Sequence, residues 1–240
     1  MIVRYIKKKI NRIKLLHSKG GFRNVVNEIV SLSPFAYYSS VMPRKSKTFR
    51  LRENTYKYCF HRYNNSWYNE RTVEVPIIMN DVDKNKDKNI LEVGNVLSHY
   101  YSFKHDIVDK YEKGANVINQ DIVDYSPEKK YDLIISISTF EHVGWDEEEK
   151  NPNKIYNTVN HLKTLLSDNG KLLFTVPVGY NPVLDEQLFA KKLDSVDIYF
   201  LKRISKDNLW QETNLKEVQS TKFNDPYPNG NAIVVGIFKK

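Results

Sequence analysis

The pattern of apolar and polar positions changes character along the 240-residue chain. Near the N-terminus Ile2, Ile6, Ile10 and Ile13 fall on one helical stripe, with Arg4, Lys7, Lys8, Arg12 and Lys14 largely elsewhere, and this predicts a basic amphipathic helix over 2–16. Ser18-Lys-Gly-Gly21 breaks it, and a second helical pattern follows around Phe22–Val30. From Ser31 to Asn69, Pro34 and Pro43 interrupt any long element, and an aromatic series (Tyr56, Tyr58, Phe60, Tyr63, Trp67, Tyr68) is interleaved with Lys and Arg. Glu70–Ile78 predicts a helix or an extended lead-in before the hydrophilic loop Asn80–Lys88. After that loop, short apolar runs alternate with helical stretches: strands near 89–93, 106–108, 116–119, 132–137 and 171–176, and a helix near 153–167. Such alternation is the sequence form of an α/β fold with a doubly wound, mostly parallel sheet. Ser167-Asp-Asn-Gly170 supplies a helix stop. Near the C-terminus, strand-like Leu215–Phe223 and Ala232–Phe238 leave no room for a crossover helix, so a hairpin is expected there, and Asp185–Asp207 reads as an inserted lid.

Charge divides the chain in a way hydropathy does not. Residues 1–50 hold 12 of the 37 Lys and Arg and only Glu28 among the acids, a surplus of eleven positive charges, whereas the remainder carries 25 basic and 28 acidic groups. The expected organisation is therefore a basic, helical and aromatic N-terminal extension or cap over 1–69, joined to an α/β domain over 70–240. The basic part points to an anionic membrane surface or RNA phosphates, or its apolar stripe packs on the body while the cations face water. The aromatics among cations either stack on bases or sugar rings or cover a core edge. A single cysteine, Cys59, excludes an intramolecular disulfide framework and any multi-cysteine metal site. The histidines show no metal-ligand spacing, so no metal is expected. No run approaches the roughly 18 apolar residues of a membrane span, and Lys7-Lys8-Lys9 interrupts any secretory core; the expectation is a cytoplasmic protein, with peripheral membrane contact an open possibility.

The candidate chemistry sits at the predicted strand ends, where a parallel sheet places its ligands. The run Asn89-Ile-Leu-Glu-Val-Gly-Asn-Val-Leu-Ser-His99 ends an apolar strand in Glu92 and Gly94. Asp109 follows 17 positions after Glu92, near the offset at which a second-strand acid receives ribose hydroxyls. Asp121 and Ile122 close the third strand, suited to an adenine amino group and ring face. Ser138-Thr-Phe-Glu-His142 closes the fourth.

Together, the first-strand Glu-x-Gly, the second-strand acid, Asp121-Ile122, the fourth strand Tyr131–Ser138, a fifth strand after Asn169-Gly170 and the terminal hairpin resemble the class I S-adenosylmethionine-dependent methyltransferases over about 70–240. The resemblance is strongest in Asp132–Gly144, where Ser-Thr-Phe-Glu-His-Val looks like the segment after the fourth strand of small-molecule members. It implies a seven-stranded sheet of order 3-2-1-4-5-7-6 with the last strand antiparallel, and S-adenosylmethionine as cofactor. Glu92 and Gly94 would lie near the methionyl part, Asp109 at the ribose, Asp121 and Ile122 at the adenine and Ser138 near the sulfonium. Tyr180 and Asn181, after the fifth strand, would offer polar contacts to the substrate. His142 is the candidate general base; Glu141 either orients it or points back into the fold.

The family's Glu/Asp-x-Gly-x-Gly-x-Gly becomes Glu92-Val-Gly-Asn-Val-Leu-Ser98 here, so Val96 and Ser98 stand at the later glycine positions. No Asn/Asp-Pro-Pro-Tyr/Phe run follows the fourth strand, which removes the usual sign of amino-group methylation on bases or glutamine. The expected activity is methyl transfer to a small molecule or glycan, at oxygen. The alternatives are an RNA methyltransferase using the basic N-terminus and a degenerate methyltransferase-like binding module, favoured by Val96 and Ser98.

Overall fold

The computed structural model describes residues 38–39, 41–193 and 196–240. The chain divides into two compact units, Met1–Ser46 and Lys47–Lys240. Of the first, the described part holds helical residues 38–39 and 41 and the 3-10 turn Met42–Arg44; the helices expected over 2–16 and 22–30, and with them most of the basic surplus, lie outside the described residues.

The second unit opens with a two-stranded antiparallel hairpin, β1 (Thr48–Leu51) and β2 (Asn54–Lys57). Helix α1 (Arg71–Lys84) follows, which settles the 70–78 alternative as helix and carries it five residues into the expected loop. Pro76 lies inside α1 and cannot donate to the Thr72 carbonyl one turn earlier. That carbonyl instead accepts from Cys59 N at 2.8 Å, tying the segment after the hairpin to the helix. Tyr56 and Tyr58 of the aromatic series serve the core, packing with Phe49 and with Val73, Ile77 and Ile78 of α1, whereas Tyr63 is exposed.

The main sheet has eight strands: β3 (Ile90–Val93), β4 (Asp106–Val108), β5 (Val117–Ile118), β6 (Tyr131–Ile137), β7 (Leu166–Pro177), β8 (Asp197–Arg203), β9 (Trp210–Thr213) and β10 (Ala232–Lys239). Their spatial order is β5-β4-β3-β6-β7-β10-β8-β9. The first five pair in parallel, and β10 lies antiparallel between β7 and β8. This is the expected order with one extra edge strand, β9, antiparallel to β8.

Two details of the reading are corrected. The partner of the terminal strand is β8, drawn from the expected lid, and not Leu215–Phe223. Residues Leu215–Val218 instead form a short helix, capped by the Asn214 side chain accepting from Glu217 N. The strand beside β10 was hidden because Asp197–Arg203 mixes charged and apolar residues, as expected near a sheet edge.

Helix α2 (Lys154–Leu165) runs directly into β7, and helix α3 (Pro182–Phe189) follows it. Helix α2 buries Ile155, Val159, Leu162 and Leu165 at helical spacing against one face of the sheet, with Leu91, Ile134, Leu172, Phe174 and Val234. Their strand neighbours Ile90, Leu133, Ile135, Leu173 and Val235 face α1 and the hairpin. Period-two alternation within strands that are apolar on both sides thus builds a three-layer body. It also puts the carboxyl ends of β3, β4, β5 and β6 at one edge. Among the described residues no helix is long and apolar enough to cross a membrane.

Candidate functional site

The chain turns sharply after β3 at Gly94, whose φ is +84°. A Cβ there would lie 2.2 Å from Thr139 Oγ1, so this position requires glycine for both its conformation and its close approach to the turn after β6. The next amides do not face an open loop. Asn95 N donates to Asp109 Oδ2 at 2.9 Å, and Val96 N and Leu97 N donate to Glu92 Oε1 at 2.9 and 2.7 Å. Val96 takes φ −109°, where a branched side chain costs nothing, and a 3-10 turn, Leu97–His99, follows. The missing glycines therefore correspond to a tighter loop whose amides are paired with acids from β3 and β4.

The structure places Glu92 behind that loop and off the cavity wall. It is fully buried, and its second oxygen meets His105 Nε2 at 2.9 Å. Asp109, just beyond β4, also accepts from Tyr111 N and Glu112 N through Oδ1, at 2.8 and 2.6 Å. A carboxylate offers about four acceptor positions, so Oδ2 retains one.

Beyond β5, Asp121 accepts from Val123 N, from Lys154 Nζ at 2.7 Å and from Lys110 Nζ at 2.9 Å. Both ammonium groups also reach Glu147, at 2.7 and 3.2 Å. Burial pushes the Asp121 carboxyl up, but the two lysines outweigh it and hold the group below its ordinary value.

Beyond β6, Ser138 has φ +37° and donates Oγ to Glu74 Oε1 of α1 at 2.7 Å. His142 is half exposed, and its Nδ1 meets Asp146 Oδ2 at 2.5 Å. The same oxygen accepts from Tyr180 OH at 2.7 Å. Glu141 turns the other way: 2% exposed, its Oε2 has no hydrogen-bond partner, and its Oε1 lies 3.7 Å from His142 Nε2. Burial pushes the Glu141 carboxyl well up, the positive charge of Arg71 only partly opposes this, and the nearby Glu74 and Glu70 add to it.

A cavity of about 560 Å³, within the ~300–1,000 Å³ range of small-molecule sites, collects residues from all four strand ends. It is lined by Gly94, Asp109, Asp121, Ile122, Ser138 and His142, with Val93, Val96, Val108 and Val143 as apolar wall. Asn181 is not among them. Its side chain caps α3 by accepting from Val183 N and Leu184 N and ties that helix to the Glu141 carbonyl. Tyr180 is not in the lining either, and it touches two residues that are, Asp146 and His142. Sequence reasoning missed Asp146, Glu147, Lys110 and Lys154; the one available signal was an acid one helical turn beyond His142. Among the described residues, no group of three or more His, Cys, Asp or Glu could hold a metal ion.

The lining fits a nucleoside bearing a positive charge. Apolar side chains can cover a purine ring, Asp109 keeps an acceptor position for a hydroxyl, and the carboxylates outnumber the lysines.

No family model matches the chain. Over 150 residues it is 30% identical to a malonyl-[acyl-carrier protein] O-methyltransferase of Ilyobacter polytropus; the match covers 54% of this chain and 52% of the relative, so the chain spans about half the length of the curated relative it matches. Among solved structures, an N-methyltransferase from Bradyrhizobium japonicum in complex with S-adenosyl-L-homocysteine superposes with a TM-score of 0.46 at 10% identity, over 85% of this chain and 98% of that one. An S-adenosylmethionine-dependent methyltransferase from Archaeoglobus fulgidus gives 0.45 at 14% identity, over 74% and 98%.

Proposed function

We propose that this chain is a class I S-adenosylmethionine-dependent methyltransferase and that it transfers a methyl group to a hydroxyl oxygen of a small molecule or glycan. The observation that carries this reading is the convergence of Gly94, Asp109, Asp121 and Ile122, and Ser138 and His142, from the ends of four successive parallel strands, on one cavity. When bound, S-adenosylmethionine supplies an electrophilic methyl group, so the chain's task is to hold the two reactants in line and manage one proton.

Asp109 would hold the ribose through the free position on Oδ2, while Ile122, Val108 and Val143 enclose the ring. Asp121 would meet the adenine amino group with its charge already balanced by Lys110 and Lys154, so the recognition is polar without a bare anion. Ser138, anchored on Glu74, sets the floor near the reacting centre. His142 is the group placed to take a proton.

The chemistry of the lining favours a neutral acceptor. Asp109, Glu112, Asp121, Asp146 and Glu147 all line the cavity, facing one lysine, Lys110, and His142. Such a surround stabilises a cation and repels a carboxylate. The O-methyltransferase name of the curated relative supports oxygen as the methylated element only; a malonyl group presents carboxylate oxygens, so the choice of a hydroxyl rests on the acidic lining alone. The test is S-adenosylhomocysteine release from S-adenosylmethionine across acceptors bearing hydroxyl, carboxyl or amino groups. Turnover with hydroxyl acceptors is expected; turnover confined to carboxylates or amines would overturn the choice of acceptor.

A further inference from the structure

His142, Asp146 and Tyr180 come from two strand ends, yet their polar atoms meet at one carboxylate oxygen. Trp145 N and Asp146 N both donate to the His142 carbonyl at 3.1 Å, so a local turn brings Asp146 one helical turn past the imidazole. Tyr180 arrives from the loop after β7 and donates to the same Oδ2 that faces His142 Nδ1. Its ring stands edge-on to the imidazole, with centroids 4.9 Å apart at 76°, and is itself held edge-on against Phe223 at 5.1 Å and 90°. The imidazole is thus restrained at one nitrogen by a hydrogen bond and on one face by a ring.

We infer that Asp146 is a positioning residue which fixes His142 with Nδ1 as donor, leaving Nε2 as the basic nitrogen that takes the acceptor's proton. An ionised carboxylate only accepts hydrogen bonds, so a nitrogen at 2.5 Å from it must carry the hydrogen. In the neutral ring the other nitrogen is then bare. The groups facing the ring are Asp146, Tyr180 and Glu141. Burial pushes the Asp146 carboxyl up, but the hydrogen bonds from Tyr180 and His142 outweigh it and hold the group below its ordinary value, so it stays an acceptor at neutral pH. Glu141 Oε1, at 3.7 Å from Nε2, is beyond hydrogen-bonding reach and leaves that nitrogen unclaimed.

Only the assignment of Nε2 as proton acceptor rests on the methyltransferase reading; the orientation of the ring does not. In that step the acceptor's O–H bond breaks and its proton passes to Nε2. The oxygen's electron pair forms the new C–O bond, and the pair of the methyl C–S bond leaves with sulfur as S-adenosylhomocysteine. The imidazolium is stabilised by Asp146 and returns its proton to solvent, to which both side chains are open.

An ion pair this exposed adds little to stability, so Asp146→Ala should fold normally. The experiment is a two-bond proton–nitrogen correlation on the ¹⁵N-labelled full chain near pH ~8.5, where an imidazole is mostly neutral, with the His142 resonances assigned by their loss in His142→Gln. The expected wild-type spectrum shows a protonated Nδ1 and a bare Nε2. In Asp146→Ala the ring should shift toward the Nε2-protonated form that an unrestrained histidine favours, and Tyr180→Phe should shift it part of the way. A protonated Nε2 in the wild type, or a tautomer unchanged in Asp146→Ala, overturns the inference. If the wild type shows the predicted tautomer but does not bind S-adenosylhomocysteine, the methyltransferase reading fails and the catalytic assignment of Nε2 falls with it. With an acceptor in hand, Asp146→Ala should lower kcat about 100-fold or more with KM little changed; a loss expressed in KM alone contradicts a role in the proton transfer.

Discussion

The two halves of the cavity are built differently. On the β3–β4 side, the acids are consumed by backbone: Glu92 and Asp109 together accept five main-chain N–H bonds, and the loop they hold has little freedom left. On the β5–β6 side, charged side chains meet one another: Asp146 joins His142 and Tyr180, while Glu147 and Asp121 share Lys154 and Lys110, the latter reaching over from beyond β4. Bonds from a carboxylate to backbone fix the shape of a binding loop, and substituting them should cost both fold and affinity. Charge pairs between side chains, half exposed at His142–Asp146 and 13–36% exposed among Lys110, Asp121, Glu147 and Lys154, set direction and protonation, and substituting the exposed pair should change chemistry at small cost in stability.

Four substitutions probe this contrast, from the largest expected effect to the smallest. Asp109→Ala orphans three backbone N–H groups and removes the proposed ribose acceptor. It should weaken S-adenosylhomocysteine binding about 100-fold and lower stability by ~3 kcal/mol, read by calorimetry and urea unfolding. Gly94→Ala forces a side chain into a left-handed turn and against Thr139. A loss of ~2 kcal/mol is expected, and combining it with Thr139→Ala should return the part due to the clash. Full additivity of the two would show that the contact does not matter.

Glu141→Gln acts through pH. A carboxyl whose folded pKa is raised contributes stability that is fully present below its ordinary value near 4.5 and is lost as pH rises through the raised value. The wild type should therefore lose stability relative to Glu141→Gln on going from acid to pH 8, by about 1–3 kcal/mol, with the two converging toward pH 4. Parallel melting curves across that range would mean that Glu141 is already compensated. Lys110→Met, at a partly exposed pair that Lys154 duplicates, should change S-adenosylhomocysteine affinity no more than about threefold. A tenfold loss would move this network from the charge-balancing role to direct recognition.

What was legible in the sequence follows the same division. Asp109 and Asp121 stand at regular offsets because each ends a short, buried parallel strand, and local spacing alone carries that information. The first turn was legible in Gly94, whereas Val96 and Ser98 left its course open, because the loop closes through the Glu92 and Asp109 side chains. Glu92 and Asn181 were assigned by position in a motif, and position does not reveal that their oxygens are already occupied by backbone. Asp146 with Tyr180, and Lys110 with Asp121, pair across 34 and 11 residues of chain; such meetings depend on tertiary packing that one sequence does not display. The same holds for β8, whose place beside β10 is decided by the sheet and not by its own alternation.

The central claim is that the β3–β6 strand ends form a working S-adenosylmethionine site despite the altered glycine loop. Calorimetric titration of the folded full chain with S-adenosylhomocysteine tests it most directly. One-to-one binding with a Kd of about 100 µM or tighter, roughly −5.5 kcal/mol, weakened about 100-fold by Asp109→Ala, is the predicted result. A folded protein that shows no binding at millimolar ligand would contradict it.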